Sequence, residues 1–311
     1  IKTIPDTPKR LEAIQALEVL VVIDTMPMAI TGWADGVLPE CTYLERYDSI
    51  RNSPHRKPAI ALRMPAADPL YNSKPAYWMA KELAYRLGLE DYFSWNSIEE
   101  MLDWQLKQVG SSLEEMQRIG VKTFERSYDD LYFTQGEEHE YYTNTGKIEL
   151  YSTELAAEGF DPLPVYTPHE EPPPGFYRLN YGRAPMHTFG RTANNALLKD
   201  LMEENTAWIN PKVAGEWGIE NGQYIWLENQ DGIRSSFPIR ARITERTRWD
   251  SVYMVHGFGH TNHKLSRAYG RGASDSELIT KVHVDPIMGG TGMRGNFVTF
   301  KFEPKKEEAA S

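Results

Sequence analysis

The last part of the chain, residues 176–303, carries the pattern that most constrains the fold. Apolar residues alternate or cluster in the segments TAWINP, QYIWLENQDG, SFPIRARIT and SVYMVHGFG, and Gly, Asn and Asp separate these segments. Many short apolar segments with turn residues between them are typical of a β-barrel or a β-sandwich. One short helix is expected among the strands at residues 211–218, where Pro follows Asn. This part of the chain is therefore predicted to be β-rich.

A nearly continuous apolar run, LEVLVVID, occupies residues 17–24 and ends in Asp24. Such a run is typical of a parallel strand that is buried on both faces. Ligands of open α/β sheets bind at the carboxyl ends of the strands, so Asp24 and Thr25 are placed to meet a ligand. Their alternative role is to cap the next helix, which we expect at residues 28–33, before a short strand at residues 36–39.

The middle of the chain, residues 51–175, is predicted to be an acidic, helical connecting region that ends in a linker. Helices are expected at residues 75–87, 97–109 and 111–119, because a glycine ends the first and serines begin the other two. The segment TNTGKIELYS, residues 143–152, is interpreted as a turn that leads into a strand. The Pro-rich run HEEPPPG is a linker by its composition.

The composition excludes several functions. The 311 residues carry a formal net charge of −10 and no basic stripe, which argues against a nucleic-acid binder. No apolar run reaches the length of a membrane span. With Cys41 as the one cysteine, the chain forms neither an internal disulfide nor a cysteine-based metal cluster, and we expect Cys41 to be a small buried hydrophobic residue. The chain begins at Ile1 without a Met, so we expect a fragment of a longer protein, and the missing targeting signal says nothing about location.

The segment HTFGRTANN, residues 187–195, combines an imidazole, two hydroxyls, a guanidinium and two amides. It should form a loop between a strand at residues 176–181 and a helix at residues 196–202. Gly190 permits close approach of the backbone to a ligand, and Arg191 supplies a fixed cation. Such a loop suits a large, polar, phosphate-bearing cofactor. An ordinary polar loop between a strand and a helix explains this segment, taken alone, about equally well.

Three sets of segments, in this order, resemble the molybdopterin oxidoreductases of the DMSO reductase superfamily. The stretch ADGVLPECTYLER resembles an AD-x-x-LP motif of these enzymes, and TNTGKIELYS resembles the segment before their last domain. HTFGRTANN, WINPKVAGEWGIENGQYIWLEN and VHGFGH resemble that last, dinucleotide-binding domain. The final stretch DPIMGGTGMRGNFVTFKFE and VHGFGH are most similar to catalytic subunits of polysulfide and thiosulfate reductases.

The resemblance implies an α/β-plus-β architecture. Residues 1–50 would be the end of a Rossmann-like, parallel-sheet dinucleotide-binding domain, and residues 51–175 the helical connecting region and linker. Residues 176–303 would form a molybdopterin dinucleotide-binding β-barrel of the six-stranded type. Residues 304–311, KKEEAAS with the preceding Pro, would be a disordered tail.

The resemblance also implies cofactors and partners. Family members hold molybdenum, in some cases tungsten, between two molybdopterin guanine dinucleotides, and carry a 4Fe-4S cluster near the amino terminus. The cluster would lie in an N-terminal part that this chain lacks. The implied partners are an iron–sulfur electron-transfer subunit, a membrane-anchor subunit and a small sulfur-compound substrate, on the periplasmic side of a bacterial membrane. Neither the residue that binds the metal nor any catalytic residue is identified in this chain.

The HTFGRTANN loop would, by the resemblance, contact the pterin and the pyrophosphate. His187 and Thr188 would meet the pterin edge. Arg191 and Thr192 would bind pyrophosphate or pterin, because a guanidinium forms paired hydrogen bonds with oxyanions. Asn195 could cap the next helix or contact the cofactor, and both roles stay open.

Further contacts are implied where strands end. Asp24 would face a guanine, whose N1–H and amino group match a carboxylate, or would only cap the strand end. His256 would lie near the pterin and tune the metal, or would be a core histidine. Asn296 would lie where the last strand meets a pterin. The implied cofactor-binding residues are together Asp24, Thr25, His187, Thr188, Phe189, Gly190, Arg191, Thr192, Asn195, His256, Gly257, His260, Asn296 and Phe297.

Three functions therefore compete. The first is the carboxy-terminal part of a polysulfide or thiosulfate reductase, with arsenate, tetrathionate or formate-type enzymes of the same superfamily as alternatives. The second is a non-catalytic respiratory subunit that has lost the cofactor, although a lost site would not need the polar HTFGRTANN loop. The third is a stand-alone nucleotide-binding module, although a lone parallel strand requires sheet neighbours that this chain does not supply.

Overall fold

The computed structural model describes residues 4–54, 56–127, 141–163 and 165–302. The chain divides into two compact units. The first combines Ile1–Leu38 with His169–Ser311, and the second is Pro39–Pro168. The tail for which we predicted disorder lies outside the described residues.

The amino-terminal part of the first unit contains a helix, a short sheet and a turn of 3₁₀-helix. Helix α1 spans Thr7–Gln15, and strands β1 (Val21–Asp24) and β2 (Gly36–Pro39) form a two-stranded sheet. The 3₁₀-helix Ala29–Trp33 connects the two strands. The predicted short helix and second short strand are therefore confirmed.

Strand β1 differs from its prediction in burial. Val22 is buried, but Val21 and Ile23 are 50% and 42% exposed. The prediction of a strand buried on both faces is wrong for the described part of this chain, because β1 pairs only with β2 there and one of its faces has no packed layer. The Rossmann-like sheet therefore stays a prediction.

The second unit combines a small sheet with helices. Its elements are β3 (Arg51–Ser53), β4 (Ala59–Ala61), α2 (Ala76–Arg86), α3 (Ile98–Lys107), α4 (Leu113–Ile119), β5 (Val121–Thr123) and α5 (Thr153–Ala157). The three strands form an antiparallel sheet in the order β3-β4-β5. Leu102, Leu106 and Met116 are fully buried in its core, whereas Trp78 and Leu83 of α2 and Trp104 of α3 are 47%, 47% and 49% exposed.

Local sequence signals set the ends of these helices. The side chains of Ser97 and Ser112 accept the N–H groups of Glu100 and Glu115 at the starts of α3 and α4. Gly88, just after α2, takes a positive φ of 69°. The predicted helices are therefore present with bounds that differ by one or two residues.

The predicted strand within residues 143–152 is wrong. The turn is present, since the Thr143 hydroxyl donates to the Lys147 carbonyl oxygen at 2.7 Å. The chain then enters helix α5 instead, because the Ser152 side chain accepts the Leu155 N–H group and so begins a helix. The cap sets where α5 begins, and the residues before Ser152 pair with no strand among the described residues.

The carboxy-terminal part of the first unit contains a closed six-stranded β-barrel. Its elements are β6 (Tyr177–Gly182), α6 (Ala196–Leu201), β7 (Thr206–Ile209), α7 (Pro211–Trp217), β8 (Tyr224–Asn229), β9 (Ile239–Ile243), β10 (Ser251–Val255), α8 (Asp275–Leu278), β11 (His283–Val284), β12 (Thr291–Gly292) and β13 (Phe297–Lys301). The barrel order is β10-β6-β13-β8-β9-β7, and β10 also pairs with β7 to close it. The predicted barrel is therefore confirmed.

Alternation of apolar residues along the strands fills the barrel interior. On β8, Ile225 and Leu227 are fully buried while Tyr224 is half exposed. A turn follows β8, where Gly232 takes a φ of 79° and its N–H group donates to the Asn229 carbonyl oxygen. Helix α7 begins at Pro211, as expected. No helix within the described residues is both long and apolar enough to cross a membrane.

Barrel packing predicts the effect of a matched pair of truncations. Leu227→Ala should lower the free energy of unfolding by about 2–5 kcal/mol, because it leaves a cavity in the core. Leu197→Ala, on the exposed face of α6 where Leu197 is 78% exposed, should change it by less than about 0.5 kcal/mol. Urea unfolding followed by circular dichroism measures both values. Equal losses for the two variants would contradict the barrel core described above.

Candidate functional site

The HTFGRTANN loop follows strand β6 and is held by its own side chains. The Thr192 hydroxyl oxygen accepts the Thr188 N–H group at 2.9 Å and lies 3.1 Å from Nδ1 of His187. The other ring nitrogen of His187, Nε2, lies 2.9 Å from the carbonyl oxygen of Met202. The loop is therefore closed by a chain of hydrogen bonds that runs through one imidazole and one hydroxyl.

These bonds fix the hydrogen positions of the His187 ring. A carbonyl oxygen only accepts, so Nε2 carries a hydrogen and donates it to Met202. In the neutral ring Nδ1 is then an acceptor, and the Thr192 hydroxyl donates to it. Both ring nitrogens are thus used to hold the loop. The pterin contact that the resemblance implies for His187 stays a prediction.

Asp24 and Arg191 meet at a cavity of about 210 Å³. The Arg191 Nη2 lies 3.4 Å from Oδ1 of Asp24, with the Arg191 side chain 58% exposed and that of Asp24 15% exposed. The cavity lining combines the carboxylate, the guanidinium and three hydroxyls; its residues are Asp24, Thr25, Met26, Thr188, Arg191 and Thr192. Five of these six residues were candidates from the sequence, and they come from two distant parts of the chain.

The carboxylate of Asp24 is oriented by the backbone that follows it. Its Oδ1 accepts the N–H groups of Thr25 at 2.7 Å and Met26 at 3.4 Å. Within the described residues, every hydrogen bond that Asp24 accepts goes to Oδ1, so Oδ2 remains available to a ligand. Asp24 therefore stabilises its own turn, and the contact with a guanine that the resemblance implies for it stays a prediction.

Gly257 allows the HTFGRTANN loop to lie directly against the end of β10. A Cβ built on Gly257 would lie 2.4 Å from the carbonyl carbon of Phe189 and 2.6 Å from the nitrogen of Gly190, and the φ of Gly257 is 94°. Phe189 itself takes a positive φ of 49°. The loop backbone therefore packs closely against Gly257 with Phe189 in the left-handed region, and the close approach of a ligand predicted at Gly190 stays a prediction.

His256, at the end of β10, is buried beside the same loop. Its Nδ1 lies 2.6 Å from Oδ2 of Asp275, and its ring centroid lies 5.5 Å from that of Phe189 and 5.9 Å from that of Tyr181. Burial raises the pKa of Tyr181, the charge of Asp275 raises it further, and Arg294 opposes the increase. The phenol therefore stays neutral and can act as a hydrogen-bond donor in the ordinary pH range.

Two further candidates have structural positions. The Asn195 side chain accepts the N–H groups of Leu197 and Leu198, so it caps α6. The capping role is therefore confirmed, and the cofactor contact stays a prediction. His260 is buried three residues beyond Gly257, and its carbonyl oxygen accepts the Gly270 N–H group.

Asn296 and Phe297 lie away from the HTFGRTANN loop. Phe297 pairs with Arg178 near the start of β6, whereas the loop and His256 lie beyond Gly182 at its end. Gly182 lies four residues beyond Arg178 along β6, which corresponds to a distance of about 13 Å. The fold therefore brings together the candidates from the amino-terminal strand, the loop and the end of β10, but not the final pair.

The amide of Asn296 is fully buried and fully used. Its Oδ1 accepts the N–H groups of Thr280 and Lys281, and its Nδ2 donates to the carbonyl oxygens of Lys281 and Met293. A ligand would have to displace one of these bonds to take a hydrogen from it. The cofactor contact implied for Asn296 stays a prediction.

Besides Met26, three residues near the loop and His256 were not assigned from the sequence. Asp275 is fully buried against His256, and the Arg183 guanidinium carbon lies 4.8 Å from the Phe189 ring centroid. Tyr181 completes the surroundings of the imidazole. Arg183 could have been found, because it lies just before the loop and carries the charge that suits phosphate. Asp275 could not, because an acid after a serine reads as an ordinary helix start.

The described residues contain no group of three or more His, Cys, Asp or Glu side chains that could hold a metal ion. Cys41 is completely buried, as expected for a small hydrophobic residue. Its Sγ lies 3.7 Å from the Ser73 hydroxyl.

Two family models match the chain. The model described as Molydopterin dinucleotide binding domain matches residues 177–296, and that described as Molybdopterin oxidoreductase matches residues 1–86. The barrel with its polar loop is thus a molybdopterin dinucleotide-binding domain. The chain belongs to the molybdopterin oxidoreductases of the dimethyl sulfoxide reductase family. The matched domains imply a molybdopterin cofactor with molybdenum.

Curated relatives match most of the chain. The thiosulfate reductase molybdopterin-containing subunit PhsA of Salmonella typhimurium is 29% identical over 303 residues, covering 89% of this chain and 39% of the relative. Dimethyl sulfoxide reductase DmsA of Escherichia coli is 29% identical and covers 74% of this chain and 31% of the relative. Acetylene hydratase of Syntrophotalea acetylenica is 26% identical, and the match covers 71% of this chain and 31% of the relative. The chain thus spans well under half the length of these relatives.

A solved structure confirms the fold at a lower identity. Acetylene hydratase from Pelobacter acetylenicus superposes with a TM-score of 0.75 at 21% identity, covering 96% of this chain and 42% of that structure. This likeness concerns the fold alone.

The contact at Gly257 predicts a strong and specific sensitivity. Gly257→Ala should destabilise the first unit and disorder the HTFGRTANN loop, because the added methyl collides with backbone and the φ is positive. Gly215→Ala is the matched control, since Gly215 lies within α7 with no atom near its added Cβ, and it should stabilise by about 0.5–1 kcal/mol. Thermal unfolding measures both. A neutral Gly257→Ala would contradict the close approach.

Proposed function

We propose that this chain is the carboxy-terminal part of the catalytic subunit of a molybdenum-bis(molybdopterin guanine dinucleotide) oxidoreductase that reduces thiosulfate or polysulfide. The similarity to a thiosulfate reductase subunit over 89% of this chain supports the choice of substrate class. The β1–β2 sheet would be the end of a Rossmann-like parallel sheet in the whole protein. Reduction of arsenate, tetrathionate or dimethyl sulfoxide, and formate-type chemistry, are the alternatives within the family.

The observation that carries the proposal is the meeting of Asp24 with Arg191 at one cavity. A carboxylate oxygen available at Oδ2 matches the N1–H and amino group of guanine. The guanidinium of Arg191 and the hydroxyls of Thr188 and Thr192 match pyrophosphate oxygens. The chemistry of these groups therefore fits the nucleotide end of the cofactor, whereas an apolar ligand would leave the charged pair without compensation.

The residues of this chain would bind and orient the cofactor. Molybdenum, when the cofactor is bound, supplies the two-electron chemistry. The HTFGRTANN loop would hold the pyrophosphate, and Gly257 would keep the loop backbone tightly packed so that water is excluded beneath it. The buried His256 would meet the pterin side of the cofactor. No catalytic residue is assigned within this chain.

The remainder of the enzyme is part of the same proposal. A second molybdopterin guanine dinucleotide would be bound largely outside this chain, and a 4Fe-4S cluster would lie in a preceding part of the protein. An iron–sulfur subunit and a membrane-anchor subunit would deliver electrons on the periplasmic side of a bacterial membrane. A small sulfur compound would be the substrate.

The direct test is metal and nucleotide analysis of the intact protein, followed by reductase assays. We expect molybdenum or tungsten with about two guanine nucleotides per metal, as a cofactor-based chemistry requires. Reduced viologen should be oxidised by thiosulfate or polysulfide faster than by arsenate, tetrathionate or dimethyl sulfoxide. A preparation with neither metal nor nucleotide, and no reductase activity, would instead favour the non-catalytic respiratory subunit.

A substitution at the cavity tests the nucleotide contact. Arg191→Gln should weaken cofactor retention roughly 10-fold to 100-fold, the loss expected for one charge-assisted hydrogen bond. It should leave the unfolding temperature almost unchanged, because the ion pair with Asp24 is exposed. Arg248→Gln is the matched control, since Arg248 pairs with Asp250 on an exposed surface away from this cavity. Metal content after dialysis compares the two, and equal retention would argue against the role of Arg191.

A further inference from the structure

The segment from Gly272 to Ile279 is polar in sequence yet completely buried. Within it, Asp275 has no exposed surface. Oδ2 of Asp275 lies 2.6 Å from Nδ1 of His256, while its Oδ1 has no hydrogen-bond partner among the described residues. Burying a carboxylate with one oxygen unsatisfied is costly, so the contact with His256 needs a reason beyond stability.

The carboxylate determines where the hydrogen of the His256 ring lies. An ionised carboxylate only accepts hydrogen bonds, so Nδ1 carries a hydrogen and donates it to Asp275. The 2.6 Å distance is in the range of a charge-assisted bond. Nε2 is then the ring nitrogen left to meet a ligand. Oδ1 of Asp275 is a buried atom without a hydrogen-bond partner among the described residues, whereas Nε2 of His256 is not such an atom.

The surroundings of His256 place it at the base of the HTFGRTANN loop. The next residue, Gly257, packs against the Phe189 backbone, and the Phe189 ring lies edge-on to the imidazole. The Tyr181 ring centroid lies 5.9 Å from that of the imidazole. The guanidiniums of Arg183 and Arg294 lie over the rings of Phe189 and Tyr181 respectively, so two cations flank this position.

We propose that Asp275 is a positioning residue that holds His256 in its Nδ1–H form, so that Nε2 accepts a hydrogen bond from an N–H group of the cofactor. This inference rests on the proposed function, because the ligand of Nε2 is the pterin part of the molybdopterin. The guanidiniums of Arg183 and Arg294 only donate hydrogen bonds, and the Tyr181 hydroxyl can donate as well as accept, so Nε2 of His256 would supply an acceptor on this side of the site.

The test compares two buried acid-to-amide substitutions in the same short helix. In Asp275→Asn the amide can donate to Nδ1, which moves the ring hydrogen to Nε2 and removes the acceptor. Cofactor retention by the full protein should fall about 10-fold or more, as for other residues that orient a ligand-binding histidine. Glu277→Gln is the control, because Glu277 is buried two residues later and accepts the Ser236 N–H group instead. It should retain molybdenum as the unmodified protein does.

A double-mutant cycle separates positioning from a merely structural role. If Asp275 acts through the imidazole, Asp275→Asn should cause no further loss of molybdenum or guanine nucleotide once His256→Gln is present. Equal retention in Asp275→Asn and Glu277→Gln, or additive losses in the cycle, would overturn the inference. Should Asp275→Asn not fold, a structure of the cofactor-loaded protein decides: Nε2 should lie within about 3.2 Å of a cofactor nitrogen. An unmodified protein without molybdenum and nucleotide would refute the proposed function itself.

Discussion

The parallel pairing of β6 with β10 is the contact on which the candidate site depends. Parallel strands end at the same edge, so this pairing brings the residues after Gly182 next to the residues after Val255. The His256 N–H group continues the ladder by donating to the Gly182 carbonyl oxygen at 2.8 Å. The HTFGRTANN loop and the His256–Gly257 pair thus follow two neighbouring strand ends, and a one-residue shift in register would separate them.

Buried polar side chains then hold the loops that this pairing brings together. The amide of Asn205 is fully buried, donates to the carbonyl oxygens of Val255 and Ala273, and accepts the Ala273 N–H group. It therefore ties the end of β10 to the buried segment that carries Asp275. A Cβ on Gly272 would lie 2.0 Å from this amide oxygen, so glycine is required there. Such fully satisfied networks specify one arrangement of loops better than apolar packing does.

The sequence predicted what local signals determine. Serine caps, glycine ends and alternating apolar residues correctly indicated the helices of the second unit and the strands of the barrel. Burial of β1 was predicted wrongly, because a run of apolar residues reports affinity for a buried environment and cannot reveal how many strands lie beside it. The strand expected before Ser152 failed for a related reason, since strand propensity is weak by itself and no neighbouring strand pairs with this segment among the described residues.

The candidate site was predictable in part for the same physical reason. The sequence alone identified Asp24, Arg191 and Thr192 as candidates, because residue type determines which chemical groups a side chain carries. The contact between Asp275 and His256 could not be identified in this way. It depends on how a loop returns across the end of β10 and on which ring nitrogen of His256 the carboxylate meets. The use of both His187 nitrogens within the loop likewise depends on Met202, fifteen residues away. Chemical type is local information, whereas hydrogen-bond partners are tertiary information.

The geometry of the described residues indicates which part of the chemistry this chain serves. The residues that this chain brings together are suited to hold and orient a dinucleotide, and they include no residue set that binds a metal in the described part of the chain. Relatives that share the fold bear the names of reductases and of a hydratase, which are different reactions. A binding domain common to both cannot by itself select the reaction, because function depends on the reacting site and not on the fold. Under the function proposed above, the His256 ring beside the HTFGRTANN loop is one place where this chain would influence the reaction through the cofactor.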